Sequence, residues 1–142
     1  MHILVADDDS DDLDFFRLAL EKLSHIVKLT TVEDGEQLMK WLNQNQTTLP
    51  DLLFLDLNMP RKNGHSCLVE IKQNSLFQSL PIIILSTTVN YVEMDNLYNN
   101  GALYYVKKPN SLKDLTSLID RILLLPDEKK TFQPPKDSFV FQ

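Results

Sequence analysis

The sequence predicts a doubly wound α/β domain of (βα)5 form, and three observations carry the prediction. Five short apolar runs alternate with amphipathic stretches from the first residues to about Pro126. Runs of this length bounded by polar residues read as buried parallel strands, and the stretches between them are long enough for right-handed helical crossovers on both faces of a sheet. Chemically distinctive residues stand at the exits of the runs: Asp7 and Asp8 follow Ile3-Leu4-Val5-Ala6, Asp56 follows Leu52-Leu53-Phe54-Leu55, and Lys108 follows Tyr104-Tyr105-Val106-Lys107. In an open α/β sheet the carboxyl ends of the strands form the ligand-binding rim.

The elements are predicted in order. Strands fall at His2–Ala6, Val27–Val32, Leu52–Asp56, Ile82–Ser86 and Leu103–Val106. The first helix spans Asp11–Leu23, with Leu13, Phe16, Leu20 and Leu23 on one face, and the second spans Glu36–Asn43, with Leu38, Trp41 and Leu42. Gly64–Asn74, Tyr91–Asn100 and Leu112–Leu124 complete five helices. The last carries the clearest stripe: Leu112, Leu115, Ile119, Ile122 and Leu123. Ser10 and Asp34 are expected to cap the first two helices, and Gly101 to end the fourth in a left-handed residue. Pro60 and Gly64 bracket the loop after the third strand. Pro81 opens the fourth strand, where its missing N–H costs little. Periodicity leaves the strand order open, but in the order 2-1-3-4-5 the first and third strands flank the topological switch point, and Asp7, Asp8 and Asp56 meet in one crevice.

With 142 residues, 43% of them hydrophobic, the chain has material for one domain with a real core. Its net charge of −6 is concentrated in Asp7, Asp8, Asp9, Asp11, Asp12 and Asp14, among which no Lys or Arg falls. That concentration disfavours direct nucleic-acid binding and favours a bound cation. The single cysteine, Cys67, excludes an internal disulfide and reads as a small apolar helix residue. No segment has the length of a membrane span and the amino terminus is unlike a signal peptide, so a soluble, cytoplasmic protein without membrane insertion is expected.

Carboxylates held close together destabilise one another unless a cation intervenes, and an oxygen-only donor set suits Mg²⁺, or another hard divalent cation such as Mn²⁺. His2, His25 and His65 are too scattered to change that choice. Lys108 supplies a point charge for a phosphoryl oxygen, Ser86 a hydroxyl, and a carboxylate can itself attack phosphorus. Taken singly, Asp7 and Asp8 fit a helix-capping turn, Ser86 a loop hydroxyl, and Lys108 a solvated lysine like its neighbour Lys107. Their joint placement at strand ends is what departs from those readings.

The stretches Ile3 to Asp9, Leu53-Phe54-Leu55-Asp56-Leu57-Asn58-Met59-Pro60, Ile83-Ile84-Leu85-Ser86-Thr87 and Tyr105-Val106-Lys107-Lys108-Pro109 together resemble the receiver domain of two-component response regulators. The spacing agrees, with 30 residues from Asp56 to Ser86 and 52 from Asp56 to Lys108. The resemblance covers about residues 1–125 and implies a flavodoxin-like fold with a parallel five-stranded sheet in the order 2-1-3-4-5. It also implies that Asp56 is the phosphoacceptor and that Asp7, Asp8, Asp56 and the backbone carbonyl of Asn58 hold the metal. By the same resemblance, Lys108 pairs with the phosphoryl group and precedes a cis bond to Pro109. Ser86 and Tyr105 follow activation as switch residues, and Asn58 and Thr88 flank the water of autodephosphorylation.

The expected partners are a histidine kinase or histidine phosphotransfer protein, selected near Phe15, Phe16 and Ala19, and a downstream protein target. A homodimer through the fourth and fifth helices is compatible with a stand-alone domain. Residues 126–142 are too short for a DNA-binding output domain, which implies a stand-alone receiver that is itself no enzyme. Phe132, Phe139, Val140 and Phe141 in this tail could dock, although a mobile terminus is the simpler expectation. Two other readings compete. An aspartyl-phosphate phosphohydrolase of the haloacid dehalogenase type needs an aspartate where Asn58 stands, and a phosphorylation-independent adaptor would have little use for the intact set of site residues.

Overall fold

A computed structural model describes residues 1–142. Five parallel strands, β1 (His2–Ala6), β2 (Lys28–Val32), β3 (Leu52–Asp56), β4 (Ile82–Ser86) and β5 (Tyr104–Lys107), form one sheet in the order β2-β1-β3-β4-β5. The crossovers are α1 (Ser10–Glu21), α2 (Gly35–Gln44), α3 (Gly64–Gln73) and α4 (Tyr91–Asn99), and α5 (Leu112–Leu123) follows β5. This is the predicted (βα)5 flavodoxin-like fold, with element ends displaced by a residue or two from the expected ones. Register aligns Ala6 with Leu55 and Asp56 with Leu85, so the strands end on a common rim.

Alternation along the strands divides the core in two, because successive side chains point to opposite faces. Leu4, Ala6, Leu53, Leu55, Ile82, Ile84 and Tyr105 pack with Leu38, Leu42, Leu68, Ile71 and Leu97 of α2, α3 and α4. Ile3, Val5, Leu52, Phe54, Ile83, Leu85, Tyr104 and Val106 pack with Phe16 and Leu20 of α1 and Ile119 and Ile122 of α5. Burying each such aliphatic side chain stabilises the fold by about 1.5–3 kcal/mol. The central strands β3 and β4 are wholly buried, which explains why they read as continuous apolar runs. Tyr104 therefore faces away from Tyr105, and its ring lies edge-on to Phe141 at 5.1 Å.

The punctuation is mostly as expected. Asp34 caps α2, accepting from the Gln37 N–H at 2.8 Å, and Gly101 has φ +97°. Cys67 is buried with its thiol toward the Gly35 carbonyl, and burial pushes its pKa up to about 11. Ser10 is not the cap of α1. Asp9 takes that place and accepts from the Asp11 and Asp12 N–H groups, because a carboxylate one residue earlier reaches both free donors. Phe16 and Ala19 are buried in the core and Phe15 is half-buried, so the exposed surface of α1 near which a partner was expected to be selected does not include Phe16 or Ala19. Their helical spacing is that of core residues.

The tail departs most from expectation. After α5 come a short helix α6 (Asp127–Thr131) and a single 3₁₀ turn (Lys136–Ser138), and the chain then lies along the open edge of β5. The Tyr105 N–H donates to the Phe139 carbonyl and the Phe141 N–H to the Tyr105 carbonyl, each at 2.9 Å, giving a parallel bridge between Tyr105 and Val140. Phe139 is buried against Tyr98 and Tyr105. The Tyr98 hydroxyl donates to the Pro134 carbonyl at 2.7 Å, and Gln133 donates to the carbonyls of Tyr98 and Ala102. The tail thus satisfies an edge strand that would otherwise present unpaired backbone groups.

Candidate functional site

The ends of four strands, β1, β3, β4 and β5, and the loops that follow them build the site. Asp7 and Asp8 leave β1, with Asp7 buried and Asp8 exposed; Asp56 closes β3 and is buried. Oxygens of Asp7, Asp8 and Asp56 all lie within 4.8 Å of one another. The strand order makes β1 and β3 neighbours, which is why residues 49 positions apart in sequence share one crevice. Behind Asp56, Gly64 opens α3 so tightly that a Cβ there would stand 2.2 Å from the Asp56 carbonyl oxygen. Arg61 carries φ +65° in the intervening loop and reaches Asp34 at 2.8 Å, clasping that loop to the start of α2.

Lys108 follows β5 and is held by three carboxylates. Its Nζ lies 2.8 Å from Asp7 Oδ2, 2.8 Å from Asp12 Oδ2 and 3.7 Å from Asp56 Oδ1. Burial opposes the charged form of Lys108, but hydrogen bonds to Asp12 and Asp7 outweigh it and raise the pKa above the ordinary lysine value. Asp56 is pushed up to about 7, first by burial and next by the Asp7 charge, with Lys108 and the Asn58 N–H pulling in the opposite direction. A carboxylate so poised takes up a cation or a proton. The Lys108–Pro109 bond is trans, not cis as expected. The trans form is the lower state of an X–Pro bond, and here it is compatible with the Lys108 N–H donating to the Ser86 carbonyl at 2.8 Å and with the lysine's reach into the pocket.

Ser86 closes β4, buried, and its hydroxyl accepts from the Thr88 N–H at 3.3 Å. The Tyr105 ring is fully buried, its hydroxyl donates to the Thr88 carbonyl, and burial raises its pKa. Asn58 and Thr88 are exposed at the rim. Asp7, Asp8, Asp56, Asn58, Ser86, Thr88 and Lys108 thus lie at or beside the carboxyl end of the sheet, whereas Tyr105 sits within β5 opposite Ile84 and reaches the rim only through its hydroxyl. Asp12 was not among the expected site residues; the available signal was its place in the first turn of the helix that follows an acidic strand end.

The donor set fits a hard divalent cation: carboxylate oxygens only, no thiolate or imidazole, and one exposed member that leaves room for water. Fold and site together define a doubly wound domain with an acidic cation pocket and a lysine at its topological switch point. The chain matches the response regulator receiver domain over residues 3–120 and belongs to that family, the receivers of two-component systems.

It is 31% identical over 124 residues to the response regulator Rcp1 of Synechocystis sp., covering 84% of each chain. To the probable methanogenesis regulatory protein FilR2 of Methanothrix harundinacea it is 26% identical over 123 residues, covering 84% of this chain and 79% of that one. Among solved structures, the phosphorylated cyanobacterial phytochrome response regulator RcpA superposes with a TM-score of 0.78 at 30% identity, covering 85% of this chain and 89% of that one. The Mn²⁺-bound form of Rcp1 superposes with a TM-score of 0.78 at 29% identity, covering 94% and 98%. Receiver domains bind Mg²⁺ or Mn²⁺ at this acidic pocket. No helix is long and apolar enough to cross a membrane.

Proposed function

We propose that this protein accepts a phosphoryl group on Asp56 from a phosphohistidine of a histidine kinase or phosphotransfer protein, and signals by phosphorylation-dependent binding to a downstream protein. The observation that carries the reading is the Asp56 carboxylate, buried, 3.7 Å from the Lys108 ammonium and clustered with Asp7 and Asp8. In the transfer, an Asp56 oxygen attacks phosphorus in line, the P–N bond of the phosphohistidine breaks, and the imidazole leaves with its electron pair and takes a proton. Positioning and charge neutralisation supply nearly all the catalysis of such a step. Asp7, Asp8, Asp56 and the Asn58 carbonyl would hold the cation, whose charge offsets repulsion between the incoming oxygens and the carboxylates.

The chain's own residues do the rest. Lys108 pairs with a phosphoryl oxygen, and Ser86 donates its hydroxyl to another. The Ser86 movement is felt at Thr88 and, through its carbonyl, at Tyr105, which biases the face of α4, β5 and α5 between two arrangements. Hydrolysis of the acyl phosphate follows by water attack between Asn58 and Thr88. A dimer through α4 and α5 would have to accommodate the tail along β5.

The test is incubation with acetyl phosphate or phosphoramidate, with and without Mg²⁺, followed by intact mass of the wild type and Asp56→Asn. A Mg²⁺-dependent, base-labile gain of one phosphoryl group, absent from the variant, is expected. No gain where a control receiver is labelled would overturn the reading in favour of a phosphorylation-independent adaptor. Partner affinity indifferent to Asp56→Asn would point the same way.

A further inference from the structure

Asp12 has no part in the cation cluster, yet it is one of the two closest partners of the site lysine. Its carboxylate stands 2.8 Å from Lys108 Nζ across 96 residues of sequence. The contact follows from local geometry. Asp9 caps α1 and so orients its first turn, and side chains on a helix lean toward its amino end. Asp12 therefore leans onto the rim where Asp7 leaves β1. Acid in a first turn is ordinarily explained by the helix dipole and by solvation. Neither requires a lysine from the far edge of the sheet to bond to it.

An ammonium offers three N–H groups and one unit of charge. Lys108 gives its two short bonds to Asp7 and Asp12 and stands off from Asp56 at 3.7 Å. The two short bonds differ in strength. Asp7 is 2% exposed and Asp12 40% exposed, so solvent screens the Asp12 pair more heavily and it is the first to yield.

On the reading that Asp56 is the phosphoacceptor, we propose that Asp12 is a positioning residue that holds Lys108 back from Asp56 until a phosphoryl group draws it away. A phosphoryl group brings close to two negative charges and three acceptor oxygens. The flexible lysine stem lets the ammonium swing from Asp12 to one of those oxygens while keeping its buried bond to Asp7. Asp12 thereby opposes formation of the phosphorylated state and, by releasing Lys108, marks its arrival.

The experiment compares wild type, Asp12→Asn and Asp12→Glu, each with Lys108 intact and with Lys108→Met, at saturating Mg²⁺. It measures labelling of Asp56 by acetyl phosphate, the lifetime of the acyl phosphate, and affinity for beryllofluoride, a phosphoryl mimic. Asp12 is half-exposed on a helix surface, so Asp12→Asn keeps the fold. The expected result is labelling and beryllofluoride affinity raised about two- to fivefold by Asp12→Asn, restored toward wild type by Asp12→Glu, and insensitive to residue 12 when Lys108 is absent.

An equal effect in the Lys108→Met background would overturn the proposal, because Asp12 would then act only as a negative charge at the entrance. A neutral or weakened Asp12→Asn would also overturn it. Should Lys108→Met fail to fold, NMR of the ¹⁵N-labelled Lys108 ammonium decides instead: its signal shifts on Asp12→Asn if the bond is made, and an unchanged signal overturns the proposal. Absence of labelling in the wild type beside a labelled control would bring down the acceptor reading and this inference with it. Labelling of the wild type with an unresponsive Asp12→Asn would bring down only the inference.

Discussion

Asp56 shows how burial sets the terms of the chemistry. Its carboxyl is pushed up to about 7 by burial and by Asp7, against an ordinary value of 3.8, so its ionised form is disfavoured in the fold. A folded-state pKa above the unfolded one contributes stability below the unfolded value and loses it as pH rises through the folded one. Replacing Asp56 by Asn removes this liability. In metal-free buffer, Asp56→Asn should be more stable than wild type by about 1–2 kcal/mol at about pH 8, with the difference fading between about pH 7 and pH 4. Urea unfolding at several pH values checks this, and an advantage that persisted unchanged at low pH would contradict the assignment.

The backbone around that residue depends on one element and the free edge of the sheet on another. The first is the β3–α3 loop, which returns so sharply that Gly64 lies against the Asp56 carbonyl. Gly64→Ala would drive a methyl into backbone at 2.2 Å, so a loss of about 2–3 kcal/mol is expected, with slowed labelling of Asp56 because the strand end must shift. Chemical denaturation and the acetyl phosphate assay measure the two effects.

The second element is the tail. Phe139 is buried against Tyr98 and Tyr105, and truncation of a buried phenylalanine ordinarily costs about 3–5 kcal/mol. The tail lies outside the five-stranded sheet and meets it through a single bridge, so Phe139→Ala should lower global stability by less, about 1–2 kcal/mol. Its signature is local: hydrogen exchange at the Tyr105 and Phe141 amides, which bond across the bridge, should accelerate far more than exchange in β3. Uniform acceleration across the sheet would show that tail and domain unfold together.

For the whole molecule, the acidic rim and the fold are linked thermodynamically. A cation that binds the clustered carboxylates only when they are assembled stabilises the native state by mass action. It also requires Asp56 ionised, which places binding in competition with the proton. Millimolar Mg²⁺ should therefore raise the melting temperature by several degrees at about pH 8 and by distinctly less at about pH 5, where most of Asp56 is protonated. Differential scanning calorimetry at the two pH values with EDTA controls tests this, and equal shifts would mean that the cation binds elsewhere.

Strands and helices were legible because their causes are local. The wholly buried β3 and β4 show as unbroken apolar runs, and α5 shows as one apolar stripe. The residues at the strand ends stood out because an ionised side chain after an apolar run answers no packing need. Strand order is non-local, since periodicity says nothing of which strand lies beside which. The order 2-1-3-4-5 was inferred from the doubly wound pattern, and the sheet bears it out.

What the chain by itself determined is the alternation of elements and the inventory at the rim, through side-chain period and hydrophobicity. Only the tertiary structure decided that Lys108 bonds to Asp12, that Phe16 and Ala19 are core residues, that Pro109 follows a trans bond, and that the tail closes the edge of β5. Each of these depends on which surfaces remain unsatisfied after the sheet has formed. An unpaired edge strand and a half-buried ammonium take the nearest complementary groups that folding brings within reach, however far apart they lie in sequence.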